Sequence, residues 1–493
     1  VGNLGDLDAL PGGWRGGEVS ATWDNDTELY CEPHAVARAT CGCPWGKDPA
    51  SVHHGQARMA YRLAASYAGR LMHVHGIGWY AWDGRRWRED DRGEATRAVL
   101  DVLRSALSDS LGDKAMRSDV ARCESAAGVA GVLDLAGDLE PFAATVADLD
   151  ADPHLLNCAN GTLDLHTLAL RPHDPRDRIT KVTGAAYDPD ATGPAWQAFL
   201  ARVLPDEDVR GFLARYVGLG LAGRVLEHVL AILTGAGRNG KGVFYGAVGN
   251  ALGDYARTAE PDLFMAREGA HPTGEMDLLG VRWVVVSESD QGRRLAEATV
   301  KRLTGGDRIR ARRMRQDFVE FTPSHTAALI TNHLPKVSGD DPALWARLRV
   351  VPFDVVIPKA EQDTHLGEKL ELEADAILSW AIAGWAEYRT RGLDEPAAVL
   401  RATERYQADA DALGRFLADA CIINPHMWVA VGDLFDRWAR WSAEDGTEPI
   451  GKRTFGDAMD RRGFPAVKGT GGVRIRRGLG LAADGPAEGA QTW

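Results

Sequence analysis

Apolar residues recur along this chain in two periods, and the switches between them divide it. From Gly55 the spacing is helical, with Met59, Ala60, Leu63, Ala64, Tyr67, Ala68 and Leu71 on one face of a 3.6-residue repeat. Trp79-Tyr-Ala-Trp82-Asp83-Gly84-Arg-Arg-Trp87 then flanks an Asp-Gly pair, which suits a type I′ turn and predicts a hairpin. A second hairpin is expected from Asn160-Gly161-Thr-Leu-Asp-Leu165 through Leu168 and Leu170 to Pro172. Together these predict an α+β domain over residues 55–190. Aromatic residues beside arginines in the first hairpin can stack bases, although half-buried tryptophans of a small sheet are the simpler explanation.

Helical spacing returns with Trp196, Phe199, Leu200 and Val203, in a helical stretch from 191 to about 226. The apolar run Val229 to Leu233 reads as a buried strand. A Gly-rich loop follows it, then a helix whose packed face is Val243, Phe244, Ala247, Val248, Ala251 and Leu252. Strand, loop and helix in that order begin a parallel sheet, and the apolar runs Val281–Val286 and Thr326–Ile330 extend it. This α/β domain spans 191–394. Beyond it, Leu413, Phe416, Leu417 and Ala420 mark one helix, Leu434, Phe435, Trp438 and Trp441 a second, and Lys452-Arg453-Thr-Phe455 opens a third. Val467-Lys468-Gly-Thr-Gly-Gly472-Val-Arg474-Ile-Arg476-Arg477 reads as a β wing. Three helices and a wing predict a winged helix over 395–481, with a loose tail at 482–493. Its Lys452, Arg453, Arg474, Arg476 and Arg477 can contact duplex phosphate, although winged helices also dock proteins.

Composition narrows the picture. With 493 residues, 45% of them hydrophobic, the chain can build several cores. It has neither a bilayer-length apolar run nor an N-terminal apolar stretch with a basic flank, so a bacterial host's cytoplasm is the expected location. Arg outnumbering Lys, with abundant Ala and Gly, hints at a GC-rich bacterial or phage gene. Net charge −13 excludes a surface that coats nucleic acid uniformly, but leaves room for local basic patches. Six cysteines are too few for a disulfide framework. Residues 1–54 read as an irregular, Gly-rich, acidic arm in which Cys31, His34, Cys41 and Cys43, with His53 and His54 further on, can supply Zn²⁺ ligands. The Cys41-x-Cys43 gap is tighter than usual for zinc, so reduced thiols in a loop are the competing reading.

The chemistry centres on Gly235-Ala236-Gly237-Arg238-Asn239-Gly240-Lys241-Gly242-Val243. Glycines between a strand and a helix let several backbone N–H groups converge on a phosphate chain, and Lys241 adds charge. Gly242 stands where such loops usually carry a Mg²⁺-binding Ser or Thr. Downstream, Ser287-Glu288 ends an apolar strand, where Glu288 can orient or deprotonate a water; an incidentally acidic strand end is the alternative. Between Lys301 and Arg315, seven basic residues, among them Arg310, Arg312 and Arg313, face one acid. This run enters Phe318-Val-Glu-Phe321 as a hairpin would, and it can either track a phosphate backbone or form a solvated face. Asn332 follows the strand Thr326–Ile330, where it can hold a water beside a γ-phosphate. Arg347, just before a further strand, can reach a neighbouring subunit's nucleotide.

In combination and in order, these segments resemble the superfamily 3 helicases, specifically the poxvirus-type primase-helicases of phages, plasmids and large DNA viruses. The resemblance runs from Asn160-Gly-Thr-Leu-Asp-Leu through the Lys241 loop, Lys301-x-Leu-Thr-Gly-Gly-Asp and Thr331-Asn-His-Leu-Pro to the Trp345-x-Arg347 run. It implies an AAA+ motor, usually a hexameric ring, that hydrolyses ATP with Mg²⁺ at subunit interfaces and moves 3′ to 5′ on single-stranded DNA. By the same resemblance Lys241 contacts the β- and γ-phosphates, Glu288 serves Mg²⁺ and water, and Asn332 is the sensor. Arg347 is the finger, with Arg349 as second choice, and Arg312 to Arg315 form a DNA hairpin. Gly242 and Ser287 depart from the pattern and favour an alternative, an ATP-gated origin-binding or loading protein that hydrolyses weakly. The N-terminal region carries no paired-acid motif, so primer synthesis is not expected.

Overall fold

A computed structural model of the chain describes residues 30–31, 36–37, 49–266, 272–288, 292–312, 318–337, 341–448, 450–469 and 472–482. The chain is multidomain and α/β. Among the described residues, those up to Ala68 with Gly93–Phe142 form one compact unit; Gly69–Arg92 with those from Ala143 onward form another. The candidate zinc residues His34, Cys41 and Cys43, and the side chain of Cys31, lie outside the described residues.

The first unit is helical. Its helix Gly55–Tyr67 buries Met59, Ala60 and Leu63, the face the periodicity marks. Glu94–Asp109 buries Ala95, Ala98, Val99, Val102, Leu103 and Ala106 in the same manner. Two shorter helices, Lys114–Cys123 and Ala126–Gly137, start on side-chain caps. Asp113 accepts from the Ala115 and Met116 N–H groups, and Ser125 from that of Gly128, so donors without intrahelical partners are satisfied.

The second unit opens with a four-stranded sheet in the order 87–89, 78–82, 71–74, 143–144. The expected hairpin is present, with Trp82 opposite Trp87. Trp87 is buried and its indole donates to the Pro175 carbonyl, a structural role. Leu71–Val74 also pairs in parallel with Ala143–Ala144. In sequence, residues 93–142 of the helical unit thus fall between two strands of this sheet, so residues 55–190 are shared between the two units. Three antiparallel strands, Leu155–Cys158, Gly161–Asp164 and Ala169–Arg171, follow as expected from Asn160-Gly161.

The centre of this unit is a five-stranded, wholly parallel sheet: β1 (Leu230–Thr234), β2 (Ala256–Ala259), β3 (Trp283–Glu288), β4 (Thr326–Thr331) and β5 (Leu348–Pro352), in spatial order β2-β3-β4-β1-β5. Alternate residues feed two cores. Ala231, Leu233, Val285, Ala328, Ile330 and Val351 pack with helices that include Pro194–Val203, Glu207–Leu219, α1 (Lys241–Leu252) and Ala374–Arg391. Leu230, Ile232, Val284, Val286, Leu329 and Val350 pack on the other side against Val300, Leu303, Trp345 and Tyr406. Burial on both faces explains why these strands read as unbroken apolar runs. Each fully buried large apolar side chain here contributes about 1.5–3 kcal/mol.

The C-terminal part has helices Ala412–Ala420, Val431–Asp445 and Lys452–Arg461, with the expected hairpin Ala466–Lys468 and Arg474–Leu481. A strand that the sequence pattern does not reveal, Cys421–Ala430, completes this sheet on the other side of Arg474–Leu481.

Candidate functional site

The chain leaves β1 at Thr234 and enters α1 at Lys241 through a loop that only its glycines allow. Gly235 has φ +148°, and a Cβ there would stand 2.2 Å from the Phe353 carbonyl oxygen. Gly240 has φ +85°, and a Cβ there would stand 2.6 Å from Val203 Cγ1. Asn239 anchors the loop to the chain after β5: it is buried, and its Nδ2 donates to the Phe353 carbonyl at 2.9 Å. Its Oδ1 accepts from Lys241 Nζ at 3.2 Å. The same ammonium donates to the Gly235 carbonyl at 2.6 Å and to Asn332 Oδ1 at 3.2 Å.

Lys241 is only 5% exposed, and burial pushes its amine below the ordinary lysine range. All three acceptors are neutral oxygens, so the ammonium has lost its hydration without gaining a carboxylate among the described side chains. An anion is the missing complement. The N terminus of α1 points the same demand at the loop, because N–H groups of a first helical turn lack intrahelical acceptors and sit at the positive end of the helix dipole. Phosphate is the anion such a cradle suits best.

Strand register assembles the rest of the edge. Thr234 pairs with Thr331, and Thr331 with Glu288, so the carboxyl ends of β1, β4 and β3 are level. Asn332 directly follows Thr331 and meets Lys241. Glu288 stands two strands from β1, about 10 Å at the usual strand spacing, and its side chain is outside the described residues. Ser287 is exposed. A Cβ at Gly242 would approach nothing nearer than Tyr245 Cε1 at 4.0 Å, so a hydroxyl-bearing side chain has room there.

Arg347 is at the opposite edge. It precedes β5, its carbonyl accepts from the Leu230 N–H, and its guanidinium donates to the Ala343 carbonyl at 2.7 Å. Roughly 20 Å of strand separates it from Phe353, the anchor of Asn239, so it cannot serve its own loop. Arg349 is occupied: it forms an ion pair with Glu395 and donates to the Leu348 carbonyl at 2.8 Å.

Of the basic residues, Arg310 and Arg312 are exposed beside the hairpin Ile309–Ala311 and Val319–Phe321. Both lie over the Phe318 ring, at 4.8 and 4.7 Å from its centroid. Phe318 is the contributor that sequence reasoning missed, although an aromatic directly after an Arg run was a readable signal. Arg313 and Arg315 lie outside the described residues. Lys301 is held in an ion pair with Asp341. In the C-terminal part, Arg453 and Arg474 are exposed and Lys452 lies over the Phe435 ring. Arg476 is 2% exposed and turned inward, bonded to Asp460, Phe464 and Gly456. It holds the fold together and offers a ligand nothing.

Two family profiles match the chain. Residues 60–205 match the family described as D5 N terminal like, and residues 233–347, from the end of β1 to Arg347, match a family of unknown function. Among individual proteins, a protein of Acanthamoeba polyphaga mimivirus named as a candidate helicase is 26% identical over 337 residues, covering 63% of this chain and 35% of its own length. An African swine fever virus protein named as a candidate primase is 25% identical over 325 residues, covering 60% of this chain and 34% of its own. The chain thus spans about a third of the length of these curated relatives. The apo structure of the NrS-1 C-terminal region aligns over 60% of this chain and 77% of that one, at 13% identity and a TM-score of 0.40, a likeness too slight to argue from. Among the described residues, no helix is long and apolar enough to cross a membrane.

Proposed function

We propose that this chain is an ATP-dependent, ring-forming AAA+ DNA helicase, a hexamer that translocates 3′ to 5′ on single-stranded DNA to replicate a phage or mobile element. One observation carries the reading: the buried Lys241 ammonium, held at the carboxyl edge of a parallel sheet by Gly235, Asn239 and Asn332 with only neutral partners among the described side chains. A nucleoside triphosphate satisfies it, with phosphate oxygens on the first-turn N–H groups of α1 and on Lys241. The viral relatives named for helicase and primase activity support DNA as the substrate.

In this scheme Lys241 leaves Asn332 for the phosphates, and Asn332 Oδ1 holds the attacking water. The water oxygen bonds the γ-phosphorus, the bond to the bridging oxygen breaks, ADP departs with its electrons, and the water's proton passes to Glu288. Glu288 would hold Mg²⁺, which would supply positive charge to the β- and γ-phosphates. Arg347 of a neighbouring copy stabilises the transferring group, as its distance from its own loop requires. Arg310 and Arg312 follow the phosphates of the single strand, and the C-terminal helices and sheet act as a winged helix.

A second reading, an ATP-gated origin-binding or loading protein with weak hydrolysis, draws on Gly242 and Ser287, which give the metal no loop hydroxyl and no second acid. Strand separation decides between them. The helicase reading expects ATP-driven unwinding of a duplex with a 3′ single-stranded tail, none from a 5′ tail, and none with Lys241→Ala. ATP-dependent DNA binding without strand separation would favour the second reading.

A further inference from the structure

The C-terminal sheet has an outer face besides the one packed on its helices. Its strands Cys421–Ala430, Ala466–Lys468 and Arg474–Leu481 contain Lys468, Arg474, Arg476 and Arg477 but no Asp or Glu, in a chain of net charge −13. Residues paired across a ladder share a face, and neighbours along a strand alternate. Val429, Arg476 and Ala466 are one cross-strand row, and it faces the helices: Val429 belongs to their core and Arg476 is bonded to Asp460. The opposite, outer face therefore carries Trp428 beside Arg477, with Ala430, Ile475 and Val467 as the next row.

Trp428 is 62% exposed. Five of the fifteen large apolar side chains exposed among the described residues, Ile422, Ile423, Trp428, Val467 and Val473, belong to this sheet or its turn. Single exposed apolar residues are ordinary, but Trp428 and Val467 share the outer face beside Arg477, and apolar side chains grouped on one face mark a binding surface. Arg477 enters no ion pair among the described residues, so the charge beside the indole is uncompensated; Lys468 and Arg474 fall on the Arg476 face.

We propose that this outer face binds single-stranded nucleic acid, with an unpaired base stacked on the Trp428 indole and that nucleotide's phosphate on Arg477. Arg477 selects a phosphate, and the flat exposed indole beside it selects an unpaired base. A duplex can give Arg477 a phosphate, but its base faces are covered and give Trp428 nothing. The site deepens the DNA-binding reading yet needs no ATP, so the two fail separately.

The test is equilibrium binding of the full chain, without nucleotide, to fluorescent oligo(dT), to the same strand with abasic positions, and to a blunt duplex. Trp428→Ala is expected to weaken oligo(dT) binding by at least about fivefold, the low end of one lost stacking contact, while Trp428→Phe keeps most of the affinity. Duplex binding should be left unchanged, because a duplex offers the indole no base face. The native chain should bind the abasic strand more weakly than oligo(dT), and Trp428→Ala should erase that difference. An iodouracil-containing strand should crosslink to the peptide carrying Trp428. Equal losses on duplex and single strand, no preference over the abasic strand, or loss of self-association in place of DNA affinity would each overturn the proposal. ATP hydrolysis without DNA should be unchanged in Trp428→Ala; hydrolysis lost in the native chain would sink the motor reading alone.

Discussion

Lys241 concentrates the residue-scale chemistry, because its burial is balanced, among the described residues, by carbonyl and amide oxygens only. That balance has a pH signature. Burial lowers the amine's proton affinity in the free protein, whereas a bound phosphate raises it again. Below the lowered pKa the amine is already charged and nucleotide affinity is independent of it. As pH rises through that value, binding must draw a proton from solvent, and affinity falls before pH reaches the 10.5 of an ordinary lysine. Nucleotide affinity measured against pH should show this fall, and Lys241→Arg, charged throughout, should remove it. Sequence pattern alone identified Lys241, Asn239 and Asn332. It could not show that Asn239 ties the loop to Phe353, because that bond joins segments more than a hundred residues apart.

At the scale of elements, the hairpin between β3 and β4 presents Arg310 and Arg312 stacked on Phe318. Stacking fixes the guanidinium planes while leaving their N–H groups free for phosphate. Replacing both with Ala should weaken single-strand binding and lower the slope of log affinity against log salt by about 1.4, the share of two phosphate contacts. An unchanged slope would remove this hairpin from the DNA path. Continuous apolar runs made β1, β3 and β4 legible, and heptad-like spacing did the same for α1 and the C-terminal helices. Cys421–Ala430 was hidden because it contains Pro425 and buries only Cys421 and Val429, so no alternation marks it. Charge misled where pairing decides: Arg476 is buried against Asp460.

For the whole molecule, the distance between Arg347 and its own Gly235–Lys241 loop would make assembly part of the chemistry in the proposed motor. Lys241→Ala and Arg347→Ala chains should each be inactive alone, yet recover hydrolysis when mixed, since an intact loop then meets an intact arginine across an interface. No recovery in demonstrably mixed rings would place the arginine in its own subunit's site and contradict the scheme. The 93–142 insertion was invisible to periodicity because an amphipathic helix looks the same whichever unit it packs into. The central claim is that the Lys241 site turns over ATP in response to DNA, despite Gly242. ATP hydrolysis with and without single-stranded DNA across a Mg²⁺ titration tests it most directly. The account predicts Lys241-dependent hydrolysis, stimulated by the strand, at a raised Mg²⁺ requirement that Gly242→Ser lowers. No hydrolysis at saturating Mg²⁺ with DNA present would contradict it.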